Sequence, residues 1–247
     1  MSIKDSLAKA HVELLRVYAD CGGEKKDKAE IYLKTHLSRY RHDLKSITER
    51  LDEGGKVLDL GAAPFLVPYA LTLEGYQVVA VDYRPSNWLL GALPFEIVEA
   101  NCDGELLPFD ENAFDCVVFT EVFEHLHINL NLTMKEIHRV LKTGGFLYLT
   151  TPNLLGVRGT IRLLKRGCMR SNIYSVWKGA ETGDYLGHIR EYTPREIAEY
   201  LPACGYSEVI VDTVNIYEKA KVETLFWRAI SAPFKNGKEN IRAVAYK

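Results

Sequence analysis

Two carboxylates, three imidazoles and a turn of small residues carry the chemistry that this sequence can do. Asp59 stands just before Gly61, Ala62, Ala63 and Pro64. Small residues let the backbone approach a ligand closely, and a helix beginning after them offers unpaired amide donors. Asp82 lies 21 residues beyond Gly61, at the end of a second apolar run, where a carboxylate can accept both hydroxyls of a ribose. A nucleoside ligand follows from that pair. A dinucleotide would need G-x-G-x-x-G so that its diphosphate could rest on the helix start, and the string GAAPFL lacks the second and third glycines. Asp59 would repel a diphosphate but could hold the ammonium of a methionine moiety. The residues therefore favour S-adenosylmethionine (SAM) over a nicotinamide cofactor.

A sulfonium gives up its methyl by in-line displacement, so a protein using it must align the acceptor and exclude water. An oxygen acceptor must also lose its proton, and the candidate bases are His125, His127 and His188. His125 falls just beyond a strand end, where ligands of α/β sheets sit. His188 belongs to a long connection over 153–192, and connections of that length are often lids or binding loops. His188 and His125 are the candidate catalytic residues. The connection carries Arg158, Arg162, Lys165, Arg166, Arg170 and Lys178 interleaved with Tyr174 and Trp177, and ends on Arg190 and Tyr192. Arg158, Arg162, Tyr174, Trp177, Arg190 and Tyr192 are candidate contacts to an anionic acceptor, such as a phosphorylated, nucleotide-linked or lipid-linked sugar. A solvated basic helix face explains the same charges equally well. No paired acids or clustered His and Asp spell out a metal site, so no metal is expected.

These residues need a scaffold. Apolar, β-branched runs at 56–60, 77–82, 95–100, 114–120, 145–151, 207–214 and 240–246 alternate with helical patterns, which implies crossover units and a mainly parallel sheet. Pro64 is placed to open one helix and Gly75 to close it. Leu130, Met134, Ile137 and Leu141 share a helical face, with Gly144 and Gly145 as its stop. Thr193, Pro194 and Glu196 spell a capping box before another helix that ends at Gly205. Two helical patterns, 3–20 and 27–51, precede the first strand. The stretch 218–232, with Phe226 and Trp227, reads as core packing, a dimer face or a peripheral membrane contact.

At 247 residues, with 47% apolar and 26% charged residues, the chain can build a substantial core, and intrinsic disorder is excluded. It contains no apolar run long enough to span a bilayer and no export signal at its start, which reads as cytoplasmic. Five widely spaced cysteines argue against a disulfide framework. The net charge of −2 hides a segregation: 57–152 has 4 basic and 13 acidic residues, whereas 153–190 has 7 and 2. A nucleic-acid binder would present a broad positive surface, which is lacking here. A small-molecule or glycan acceptor is the expected partner, and the chain the expected monomer or homodimer.

Residues 56–151 resemble the core of the class I SAM-dependent methyltransferases, close to the small-molecule branch of ubiquinone, menaquinone and sugar methylases. VLDLGAAP is similar to that family's first motif and VVAVDYRP to its ribose-binding second. ANCDGELLPFDENAFDCVVFTEVFEHL and EIHRVLKTGGFLYLTTPN resemble its next two. The resemblance implies a Rossmann-like α/β fold, a seven-stranded mostly parallel sheet with an antiparallel last strand and helices on both faces. It implies a helical cap at 1–55, with Tyr32, Arg39 and Tyr40 over the cofactor, a SAM-binding core at 56–152, a lid at 153–192 and completion of the sheet at 193–247. It places Asp59 and the Gly61, Ala62 and Ala63 backbone at the methionine end, Asp82 at the ribose and Tyr83 on the adenine face. Cys102 and Asp103 would read the adenine edge, and Thr120 and Glu121 would flank the sulfonium. The string HIREYT is similar to one in sugar-modifying methyltransferases, which favours O-methylation. A SAM-binding protein without catalysis, N- or C-methylation of a small molecule, and a nicotinamide oxidoreductase remain the alternatives.

Overall fold

Alternating residues of the strands supply two opposite apolar faces, and that alternation decides the layers. The computed structural model of the chain describes residues 2–19, 23–85, 93–167, 174, 187–215, 229 and 236–247. Its strands are β1 (Lys56–Leu60), β2 (Gln77–Asp82), β3 (Glu96–Glu99), β4 (Phe114–Thr120), β5 (Leu141–Pro152), β6 (Glu208–Val214) and β7 (Asn240–Tyr246). They form one seven-stranded sheet in the order β3-β2-β1-β4-β5-β7-β6. β7 runs antiparallel to β5 and β6, and the remaining pairs are parallel. Val57, Cys116 and Val118 face one layer, while Leu58, Val117 and Phe119 face the other, and all are buried. Strands covered on both sides read as continuous apolar runs, as these do.

The first layer is made by α1 (Ile3–Ala19), α2 (Gly23–Thr48) and α3 (Leu66–Leu73). Leu7, Leu14 and Tyr18 of α1 and Leu33, Tyr40, Leu44 and Ile47 of α2 recur at helical spacing and are buried there. The second layer holds α4 (Leu130–Val140) and α6 (Pro194–Ala203), and α5 (Val157–Arg166) follows β5. None of the described helices is long and apolar enough to cross a membrane.

Thr193 caps α6 as expected: its side chain accepts from the Glu196 amide, and the Glu196 carboxylate accepts from the Thr193 amide. Two other boundaries differ from the sequence expectation. Pro64 lies outside α3, which begins at Leu66, because Phe65 takes a left-handed conformation (φ 66°) that no α-helix can include. Leu141 already belongs to β5, and Gly144 and Gly145 lie inside that strand instead of ending a helix. A Cβ on Gly145 would stand 2.9 Å from the Asp115 carbonyl oxygen, so the missing side chain lets β5 lie against β4. The stretch 218–232 lies outside the described residues, apart from Ala229.

The chain order turns back on either side of β1, which has β2 on one flank and β4 on the other. In open α/β sheets that reversal leaves a crevice beyond the carboxyl ends of the strands. The turn after β1, the end of β2 and the segment after β4 all arrive there.

Candidate functional site

The turn after β1 is built tightly onto β2. The Gly61 and Ala62 amides donate to the Val81 carbonyl at 2.8 and 3.1 Å, and the Ala63 amide donates to the Asp82 carboxylate at 3.2 Å. The expectation that these amides wait for a ligand is therefore corrected: the neighbouring strand has them. The Tyr18 hydroxyl of α1 donates to the Pro64 carbonyl at 2.9 Å, so the N-terminal helices support the turn as well. Gly61 has φ 70°, and a Cβ there would stand 2.4 Å from Val122 Cγ2. Only glycine lets the segment after β4 lie this close. Gly61→Ala should cost about 1–2 kcal/mol through the left-handed backbone alone, read as a fall in Tm of roughly 2–8 °C. An unchanged Tm would show that the turn relaxes without strain.

Acids gather beneath this turn. Asp59 is 3% exposed, and among the described residues nothing hydrogen-bonds its carboxyl. Burial pushes that carboxyl well above the usual range, and the Asp43 and Asp82 carboxyls add to the shift. Asp43, on α2, is pushed up to about 7 by burial, although Arg39 and the Tyr148 hydroxyl at 2.8 Å oppose the rise. Among the described residues its second oxygen has no hydrogen-bond partner. Burial raises Asp82 too, against the Ala63, Arg84 and Tyr83 amides that stabilise its charge. Buried acids with so few donors favour a cationic ligand.

Beyond β4 the chain carries a second acidic group. Glu121 has φ 58°, and its carboxylate accepts from Thr150 Oγ1 at 3.1 Å and Asn240 Nδ2 at 2.8 Å. Arg39 approaches its other oxygen at 3.5 Å and lies over the rings of Tyr32 and Tyr40. A short 3-10 turn, Phe123–His125, then buries Glu124, whose Oε2 accepts from Thr151 Oγ1 at 2.9 Å. The Glu124 carbonyl accepts the Ile189 and Arg190 amides, which brings His188 across to His125 with ring centroids 5.2 Å apart. His127 stands apart from that pair, exposed and paired with Asp103 at 2.8 Å.

The remaining candidate residues are more dispersed. Tyr83 is exposed, with Arg84 stacked on its ring. Burial drives the Cys102 thiol up to about 12. The Asp103 carboxylate accepts the backbone amides of His127, Ile128 and Asn129, and so fastens the start of α4 to the end of β3. Tyr192 is buried against Phe123, and Arg190 lies over the Tyr192 ring while pairing with Glu196. Arg158 and Arg162 belong to α5, and Tyr174 is exposed. Trp177, Arg170 and Lys178 lie outside the described residues. Sequence reasoning missed Asp43 and Glu124. Asp43 looked like any acid on an amphipathic helix, and Glu124 was legible only as the neighbour of His125.

Residues 58–149 match the family described as "Methyltransferase domain". Over these residues the chain is similar to methyltransferase domains. The demethylmenaquinone methyltransferase of Corynebacterium glutamicum (strain R) is 33% identical over 122 residues, which cover 47% of this chain and 52% of that protein. The chain thus spans about half the length of the curated relatives it matches. Among solved structures, a SAM-dependent methyltransferase from Archaeoglobus fulgidus shares the fold at TM-score 0.58 and 15% identity, over 83% of this chain and 92% of that one. The 1,6-didemethyltoxoflavin-N1-methyltransferase of Burkholderia thailandensis, with S-adenosylhomocysteine bound, aligns at TM-score 0.57 and 15% identity, over 100% and 91% of the two chains. The buried acids below Gly61 would fit a ligand that carries positive charge.

Proposed function

We propose that the chain methylates an oxygen of a small, anionic acceptor such as a sugar, a nucleotide-sugar or a lipid-linked glycan. The observation that carries this reading is the pair of imidazoles, His125 and His188, joined beyond β4 next to Thr120 and Glu121. When bound, the cofactor supplies an electrophilic methyl: the acceptor oxygen forms a C–O bond as the S–C bond breaks, and the hydroxyl proton leaves to a base. Asp59 would hold the ammonium, and Asp82 would accept from the ribose hydroxyls. Tyr83, Cys102 and Asp103 would line the adenine end. Thr120 and Glu121 would stand beside the sulfonium, and His188 or His125 would take the proton. The basic residues of 153–190 would meet the acceptor's negative charge, with Arg158, Arg162, Tyr174, Trp177, Arg190 and Tyr192 as its candidate contacts. The names of the relatives favour a second reading, an aromatic acceptor of the quinone type.

Incubation with radiolabelled SAM and a metabolite extract should give one labelled product whose headgroup separates the two readings. Calorimetric titration should show SAM binding, and its absence at high micromolar concentration would sink both. His188→Ala should lower turnover about a hundredfold with SAM affinity kept. Full turnover in that variant would leave His188 a packing residue.

A further inference from the structure

Glu124, His125 and His188 place one carboxylate oxygen and two imidazole nitrogens within 4.8 Å of one another. How the three side chains are held says more than their proximity does. His125 Nδ1 meets the Gly187 carbonyl at 3.0 Å, and His188 Nδ1 meets the Glu191 carboxylate at 3.0 Å. Both partners are acceptors, so each Nδ1 carries a proton, and in the neutral ring the lone pair then lies on Nε2. The two Nε2 atoms stand 3.8 and 4.0 Å from Glu124 Oε1. That is too long for hydrogen bonds. It is close to the separation of about 3.4 Å that tetrahedral ligands have around an ion at about 2.1 Å. The Thr151 hydroxyl fixes the other oxygen of Glu124 at 2.9 Å. Imidazoles that donate Nδ1–H to a carbonyl or a carboxylate, facing a carboxylate that is itself anchored, are arranged as oriented metal ligands.

Charge leads to the same place. Glu121 and Glu124 are largely buried in this neighbourhood, and among the described residues Arg39 is the buried cation that approaches Glu121, at 3.5 Å. A buried carboxylate is paired, protonated or bound to a metal.

We propose that Glu124, His125 and His188 bind one divalent transition-metal ion at the acceptor end of the site. Two imidazoles and one carboxylate suit manganese, iron, cobalt or zinc better than magnesium or calcium. Three protein ligands leave a position open, and the partial exposure of both imidazoles, 25% and 16%, gives access to it. With an ion held there, an acceptor hydroxyl entering the open position would ionise more readily and pass its proton to solvent, and the histidines would serve as ligands in place of the base role that they have in the metal-free reading. This role in activating the acceptor rests on the methyl-transfer reading; the binding of the ion does not.

The test uses the full chain, stripped of metal with a chelator and titrated with Mn2+ by electron paramagnetic resonance, with Zn2+ as competitor. About one ion per chain should bind. Glu124→Gln and His188→Ala should each weaken Mn2+ by at least about 100-fold, and Glu191→Ala, which frees the His188 ring, by about 10- to 100-fold. SAM titration and thermal unfolding of the same variants report whether each one folds. If the buried Glu124 variant fails that check, the partly exposed His188 variant decides. No binding of either ion, or equal affinity in the parent and His188→Ala, overturns the site. An ion that binds a chain unable to bind SAM keeps the site and rejects methyl transfer. Turnover that persists unchanged in the stripped chain overturns the acceptor role.

Discussion

Asp43→Asn should flatten the pH dependence of the protein's stability. In the native chain the Asp43 carboxyl is pushed up to about 7, by burial first and despite Arg39 and Tyr148, whereas an unfolded aspartate titrates near 3.9. A raised acid keeps its proton in the folded state at a pH where the unfolded chain has lost it. Its contribution is therefore full below about pH 4 and declines as pH rises to about 7. The difference of about three units corresponds to about 4 kcal/mol. Asparagine keeps an acceptor for the Tyr148 hydroxyl, which now donates to Asp43 at 2.8 Å, and it cannot ionise. Urea unfolding at a series of pH values should show the parent losing stability across that window and the variant losing about 4 kcal/mol less. Parallel curves would mean that Asp43 titrates alike in both states. Asp59 and Glu124 are raised in the same direction, so the variant should keep part of the slope.

Asp82→Ala should weaken SAM by about 10- to 150-fold, the equivalent of 1.5–3 kcal/mol for hydrogen bonds to a charged group. Asp82 already has structural work, because it accepts from the Ala63 amide at 3.2 Å and the Arg84 amide at 3.2 Å. Loss of affinity in the alanine variant alone could therefore come from a loosened turn. Asp82→Asn separates the causes. The amide oxygen can still accept from Ala63 while the exposed Arg84 amide turns to solvent, so the Tm should hold, but with one oxygen left, already engaged by Ala63, the side chain cannot accept from both ribose hydroxyls. Weak SAM binding with an unchanged Tm in Asp82→Asn would support the ribose role. Parent-like affinity in both variants would remove it.

Much of the scaffold was legible in the sequence. The limits of β1, β2, β4 and β7 follow from uninterrupted apolar, β-branched runs, and the Thr193 cap from three residue types in order. What failed was local and conformational. Pro64 is a good helix opener by type, but Phe65 adopts a left-handed backbone that delays α3 to Leu66. Gly144 and Gly145 look like a helix stop and instead let β5 close on β4. At the site, Asp59 and Asp82 were legible as candidates because one precedes a turn of small residues and the other ends the next apolar run. Glu124 was not, nor was its convergence with His125 and His188, because that meeting depends on two backbone amides, Ile189 and Arg190, reaching the Glu124 carbonyl across 60-odd residues of chain. Spacing along a sequence carries no record of such a closure.

The carboxyls around Asp59 also bear on what happens after a turnover. In the proposed reaction, loss of the methyl would strip the nucleoside of its sulfonium charge while the acids around Asp59 stay in place, so the spent molecule would be held by one cation fewer. Exchange of used for fresh cofactor would then be favoured electrostatically.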